Sequence, residues 1–314
     1  MEKLTVSETF LLESSETLDQ LQISYQTYGE LNDEKSNVVW IFHALTGNSD
    51  PFEWWPGVVG RGSIIDPSDF FIVCANMLGS CYGSTEPTDF EFPLITIRDQ
   101  VNAFKLLKEY LKINRIQVGI GGSMGGQQLL EWAVQEPLLF ETIVPIATNA
   151  RHSPWGIAFN ETQRMAIENN PEKGLETARA VAMLSYRHFT TYQQTQKDSD
   201  NRSDDFSASS YQRYQGQKLS RRFSPFSYYT LSKAMDSHNV ARSYHDDMNR
   251  ALQQIKSKAV IIGIDSDILF PTSEQRFLAE SIDNSNFFQL NSIYGHDGFL
   301  IEVNQINEIL KNEL

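Results

Sequence analysis

At 314 residues the chain is long enough to bury a sizeable core, as one large domain or as a domain with an insertion. Its 26 basic against 40 acidic residues leave a net charge of −14, which argues against a general nucleic-acid or anionic-membrane surface but leaves room for one basic pocket. No apolar run approaches the ~18 residues of a membrane span. Met1-Glu2-Lys3-Leu4 does not open a signal peptide, and the two cysteines, Cys74 and Cys81, lack metal-ligand spacing. Reduced thiols in a cytoplasmic protein are the expectation.

Taken in chain order, residues 1–36 read as β-rich, with Leu21, Ile23 and Tyr25 alternating with Gln22, Ser24 and Gln26. Residues 37–42 (NVVWIF) and 70–75 (FFIVCA) are short, almost wholly apolar runs, as expected of strands covered on both faces. The first ends in His43-Ala44-Leu45-Thr46-Gly47. Thr96 and Asp99 form a capping box, after which Val101, Phe104, Leu107 and Leu111 recur at helical spacing. Residues 116–120 predict a strand, Gln127 to Val134 a helix, and residues 142–147 the next strand. Such alternation points to an α/β fold with a mostly parallel sheet and helices on both faces.

From about residue 150 the pattern changes. Residues 151–190 read as helical, residues 191–217 as a mobile polar connector, and Tyr228 to Ile255 as helical again. Sheet-like sequence returns at residues 258–264 and 286–290, and a helix over 304–314 closes the chain. The division is a core of residues 1–150 and 256–314, with a helical insert over 151–255.

Between the strand at 116–120 and its helix lies Gly121-Gly122-Ser123-Met124-Gly125-Gly126. Strand, tight glycine turn and helix form the context in which G-x-S-x-G is a nucleophile elbow. A serine nucleophile needs a base, and the base needs an orienting acid. In this fold type the order along the chain is serine, acid, histidine. His152, His188, His238 and His245 fall within the insert, so His296, in a glycine-flanked loop before the last helix, is the expected base. The acid belongs after residues 258–264, where position leaves Asp265 and Asp267 both open. The amides of Met124 and Leu45 are the expected oxyanion donors.

The segments HALTG (43–47), NMLGSCYGST (76–85), TIRD (96–99), GGSMGGQQLLEW (121–132), GLETAR (174–179), YQG (214–216), AMD (234–236), SDILFP (266–271) and YGHDGFLIE (294–302) resemble the homoserine O-acetyltransferases of the methionine pathway. That resemblance runs from about residue 5 to the C-terminus and implies an α/β-hydrolase fold with a helical lid. It assigns Ser123, Asp267 and His296 as the triad. It also implies that Arg179 holds the amino acid's carboxylate, that Asp297 receives its ammonium group and that Tyr186 lines the same pocket. The implied reaction is ping-pong transfer of acetyl from acetyl-CoA to L-homoserine, without metal or redox cofactor, in a homodimer paired through the lid. Gln127 replaces the family's methionine, Glu86 stands at a glycine position, RFSPFSY (222–228) replaces R-F-D-a-N-S-Y, and the insert is shorter between Ile167 and Pro171. Alternatives are succinyl-CoA or L-serine as substrate, a plain serine esterase, and a non-catalytic binding protein on the same shell.

Overall fold

The computed structural model describes residues 1–314, the side chain of Glu172 excepted. Strand β1 (Glu2–Val6), the short antiparallel pair β2 (Phe10–Leu11) and β3 (Thr17–Leu18), and β4 (Leu21–Tyr28) open the chain. The centre alternates strand and helix: β5 (Val38–Phe42), the single turn α1 (Pro51–Trp54), β6 (Phe71–Ala75), α2 (Ile97–Tyr110), β7 (Ile116–Gly122), α3 (Met124–Gln135) and β8 (Phe140–Ile146). Six helices follow: α4 (Pro154–Asn169), α5 (Pro171–Tyr186), α6 (Phe189–Thr195), α7 (Ser207–Ser220), α8 (Pro225–Asp236) and α9 (Met248–Leu252). The sheet then resumes with β9 (Lys258–Ile264), α10 (Thr272–Ser281) and β10 (Ser285–Leu290), and ends on α11 (Gly298–Ile301) and α12 (Val303–Glu313).

Eight strands form one sheet in the order β1-β4-β6-β5-β7-β8-β9-β10. Only the β1–β4 and β4–β6 pairings are antiparallel; from β6 to β10 every pairing is parallel. Strand β5 is apolar and buried at every position because both its faces are covered, and β7 and β8 admit polar residues only near their starts, at Gln117, Glu141 and Thr142. Trp40 and Phe42 point into an aromatic layer with Phe104 of α2 and Trp132 of α3, while Val39 and Ile41 point to the opposite layer with Val118 and Ile120. Trp40 meets Trp132 edge-on at 5.0 Å between centroids, a geometry worth about 1 kcal/mol beyond its buried area.

Strand order explains where a site can form. From β5 the chain steps to β6 on one side, then returns to β7 on the other side of β5. The loops leaving β5 and β7 therefore diverge, and a crevice opens between them at the carboxyl ends of the strands. Residues 43–47 and Ser123 stand at its two lips.

Two helical expectations need correction. Residues 191–217 are a connector only over 196–206: α6 reaches Thr195 and α7 begins at Ser207. Helix α7 is polar because it buries only Gly216 and Leu219. It is held instead by backbone proximity, since a Cβ at Gly216 would lie 2.6 Å from the Glu176 carbonyl oxygen of α5, and by Gln212 Nε2 donating to the Ala180 carbonyl at 3.0 Å. Asp198 caps its start, accepting from the Ser207 amide at 3.0 Å. Conversely, the helical reading of Tyr228 to Ile255 is too long. Helix α8 stops at Asp236, and His245 and Asp246 take positive φ (55° and 65°), which no helix accommodates.

The Thr96–Asp99 capping box is present, with both reciprocal hydrogen bonds made. The altered RFSPFSY stretch also has a local account. Ser224 caps α8 by accepting from the Ser227 amide, Pro225 fills its first turn, and Phe226 packs edge-on against Phe90 at 5.0 Å.

Candidate active site

Ser123 occupies the turn between β7 and α3 with φ 57° and ψ −126°, backbone space that strains any residue bearing a Cβ. Neighbouring hydrogen bonds hold it there. Its amide donates to the Ile146 carbonyl at 2.9 Å, and its carbonyl accepts from Thr148 Oγ1 at 2.9 Å and the Gln127 amide at 3.1 Å. Helix α3 can approach this closely only because residue 125 is glycine: a Cβ there would stand 2.2 Å from the Phe42 carbonyl oxygen of β5. The Ser123 hydroxyl makes no capping bond, so it is free for chemistry at a helix N-terminus, where partial positive charge favours a developing anion.

His296 lies in the turn Gly295–Asp297 after β10. Its Nδ1 is 2.6 Å from Asp267 Oδ2, and both side chains are buried. The other oxygen of Asp267, Oδ1, accepts from the amides of Leu269 (2.8 Å) and Phe270 (2.9 Å), which locks the carboxylate in place. Phe270 stacks on the imidazole at 5.0 Å and Phe299 meets it edge-on at 5.6 Å. Asp265, the competing acid, turns elsewhere, accepting from the Ser292 amide at 3.0 Å.

Burial opposes a charged His296, but the charge and hydrogen bond of Asp267, helped by Asp297, outweigh it and raise its pKa above the ordinary 6.5. A general base must be neutral to take a proton. The acid limb of kcat/KM for an activated ester such as p-nitrophenyl acetate is therefore expected above pH 6.5, with activity falling as pH drops through it. Asp297→Asn removes one of the charges that raise His296 and should move the limb to lower pH. Glu274 titrates nearby, pushed up to about 7 by burial despite a hydrogen bond from Asn149. That group is untouched in Asp297→Asn, so a limb that stays put in this variant removes Asp297 from the account.

Ser123, His296, Leu45, Arg179, Tyr186 and Asp297 line one cleft of about 70 Å³. Leu45 sits in a turn closed by the Gly47 amide donating to the Ala44 carbonyl at 2.8 Å, and its own amide has no backbone partner among the described residues. Met124 is the first residue of α3, whose amide has no acceptor within the helix. Both donors are thus available to an oxyanion. Beneath the turn lies His43, which sequence reasoning left without a role. Its Nδ1 is 2.9 Å from the Ala44 carbonyl, its Nε2 accepts from the Met77 amide at 3.4 Å, and burial lowers its pKa to about 4, so the ring is a neutral brace.

Arg179, on α5, places its guanidinium carbon 5.3 Å from the Tyr186 ring centre. Its Nε is buried without a hydrogen-bond partner, and it pairs with no carboxylate among the described residues. Asp297 differs. Its Oδ2 lies 2.8 Å from Nε of Arg187, a cation that sequence reasoning did not place at the site. The carboxylate implied to receive an ammonium group is therefore already in contact with a cation. Gln127, the departure in the elbow, is absorbed by a buried polar chain: its Nε2 donates to Asn149 Oδ1 at 3.1 Å and lies 3.2 Å from His152 Nδ1.

Residues 37–303 match the family described as the alpha/beta hydrolase fold. The homoserine O-acetyltransferase of Cyclobacterium marinum is 48% identical, over 97% of this chain and 92% of its own. The crystal structure of homoserine O-acetyltransferase from Staphylococcus aureus superimposes with a TM-score of 0.88 at 29% identity, covering 99% of this chain and 94% of that one. An acetylester hydrolase from Corynebacterium glutamicum has a TM-score of 0.89 over 99% of this chain and 95% of its own, but at 24% identity it speaks to the fold alone.

Proposed function

The chain belongs to the homoserine O-acetyltransferases of the alpha/beta hydrolase fold and is an enzyme of that type, and from this we propose that acetyl passes from acetyl-CoA through Ser123 to the side-chain hydroxyl of L-homoserine. The observation that carries the mechanism is the Asp267–His296 pair, 2.6 Å apart, opening on the same cleft as a strained, uncapped Ser123. His296 Nε2 takes the proton of Ser123 as its Oγ attacks the thioester carbonyl. The Leu45 and Met124 amides hold the oxyanion. Collapse breaks the carbon–sulfur bond, and the leaving thiolate takes the proton from His296. In the second half His296 deprotonates the acceptor hydroxyl, which attacks the acyl-serine, and Ser123 leaves with the proton returned to it. Side chains and amides supply every role, so the chemistry asks for no metal or redox group.

An acyl-enzyme is open to hydrolysis, so a transferase must exclude water and align its acceptor. Helices α4 to α9 act as the lid in this reading, with Arg179 and Tyr186 on α5 facing the cleft. The unpartnered guanidinium of Arg179 suits the acceptor's carboxylate, bound in bidentate fashion. Asp297, with Arg187 beside it, takes the ammonium group. Arg179→Ala is expected to raise KM for L-homoserine on the order of 10²-fold, the ~2–3 kcal/mol of a charge-assisted contact, and to affect acyl-enzyme formation less.

The decisive experiment follows thiol release from acetyl-CoA and succinyl-CoA, each with L-homoserine and L-serine. Acetyl-CoA with L-homoserine should turn over fastest. Thiol release that L-homoserine does not accelerate would turn the reading to an esterase. Both cysteines are free, Cys74 buried, which fits a reducing cytoplasm. Among the described residues no helix is long and apolar enough to cross a membrane. Pairing through the lid is supported by exposed apolar side chains there, Trp155, Met165, Leu184 and Phe189 among them; a monomeric mass by sedimentation would remove it.

A further inference from the structure

A second concavity, of about 80 Å³, adjoins the cleft and shares Arg179 with it. Its other walls are Gln215, Lys218 and Leu219 of α7 and Arg222 just beyond that helix. Three cations therefore converge where no acidic side chain among the described residues contributes a wall, in a protein of net charge −14. Two other arginines of the insert that approach the core are paired, Arg164 with Asp236 and Arg187 with Asp297. Arg179, Lys218 and Arg222 pair with no carboxylate among the described residues, and Nε of Arg179 is buried with no partner at all. Gathering like charges without counter-ions is unfavourable unless an anion joins them.

Arg222 is also held in place. Its Nη1 donates to the Thr46 carbonyl at 2.8 Å and to the Tyr82 hydroxyl at 2.7 Å, which leaves Nε and Nη2 for a ligand. Thr46 adjoins Leu45, the expected oxyanion donor, so an anion here would press on the same turn that serves the reaction. Guanidinium forks with a mobile ammonium suit phosphate oxygens.

We propose that Arg222 and Lys218, with Arg179 at the junction, form an anion subsite that binds a phosphate group of the acyl-CoA donor. The acetyl group carries no charge, so this site, not the cleft around Ser123, distinguishes the CoA thioester from a short thioester. The inference rests on the acetyl-CoA reading given above. Because phosphate attraction at a partly exposed site is screened by salt, KM for the CoA thioester rises with ionic strength while that for an uncharged thioester does not.

The test compares acetyl-CoA, acetyl-dephospho-CoA and S-acetyl-N-acetylcysteamine on the unaltered enzyme and on Lys218→Glu and Lys218→Gln. The expected result is a tenfold or greater fall in the ratio of kcat/KM for acetyl-CoA to that for the cysteamine thioester in Lys218→Glu, and a smaller fall in Lys218→Gln. If dephospho-CoA already loses the preference, the ribose phosphate is the group bound; if it retains it, the pyrophosphate is. A ratio within twofold of the unaltered enzyme in both variants overturns the site. Calorimetry with CoA separates this from the donor reading. CoA binding that weakens in Lys218→Glu without acetyl transfer keeps the subsite and refutes the acetyl donor, whereas no CoA binding at all overturns both.

Discussion

Ser123→Ala is expected to lower acetyl transfer on the order of 10⁶-fold in kcat, the loss seen when a serine nucleophile is removed from an intact triad. Ser123 stands at the N-terminus of α3 and lines the cleft shared with His296, and among the described residues the other hydroxyls lining that cleft are those of Thr46 and Tyr186. Removing the Ser123 hydroxyl forces a direct attack of acceptor on thioester, with the oxyanion donors and binding alone left to help. Stability is a separate matter. The hydroxyl makes no capping bond, and alanine carries the same Cβ into the same strained φ of 57°, so thermal unfolding should move little. A folded variant that loses both thiol release and labelling by a fluorophosphonate is the expected outcome. Transfer within tenfold of the unaltered enzyme would mean that Ser123 is not acylated.

The elements that make this site were legible in the sequence to unequal degrees. β5, β7, β8 and β9 announce themselves because strands covered on both faces must be apolar over their buried length, and the glycines around Ser123 because a strand and a helix that nearly touch leave no room for a Cβ. His296 could be reached by chain order alone. Asp267 could not be separated from Asp265 that way, since both follow β9. The difference lies in which one receives the amides of Leu269 and Phe270, a property of the turn and not of local composition. Helix α7 was missed because it docks by backbone contact at Gly216 instead of by an apolar stripe, so hydrophobic periodicity had nothing to report. His43 is marked in the sequence only by its place at a strand end, and Arg187 by nothing local, because the partners that fix their roles, Met77 and Asp297, are distant in sequence.

Asp267→Asn should be the most damaging isosteric change in the molecule, lowering kcat by about 10⁴-fold with the fold intact. Asp267 uses its two oxygens differently. Oδ1 accepts two backbone amides, at 2.8 and 2.9 Å, and Oδ2 accepts the Nδ1 proton of His296 at 2.6 Å. An asparagine must keep its carbonyl oxygen toward the two amides, because an NH₂ group placed there would face two donors. Its NH₂ then points at His296 Nδ1, which has to accept instead of donate. That flips the imidazole to the tautomer protonated on Nε2, the nitrogen that should take the serine proton. The base is thus blocked without being moved. The loss, about 5.5 kcal/mol of activation free energy, should appear in acyl-enzyme formation and in acyl transfer alike, since His296 is the proposed base in both. Nitrogen-detected NMR of the labelled imidazole reads the change directly: the proton sits on Nδ1 in the unaltered enzyme and on Nε2 in the variant. An unchanged tautomer with full activity would show that the Asp267–His296 contact is structural and that the base lies elsewhere.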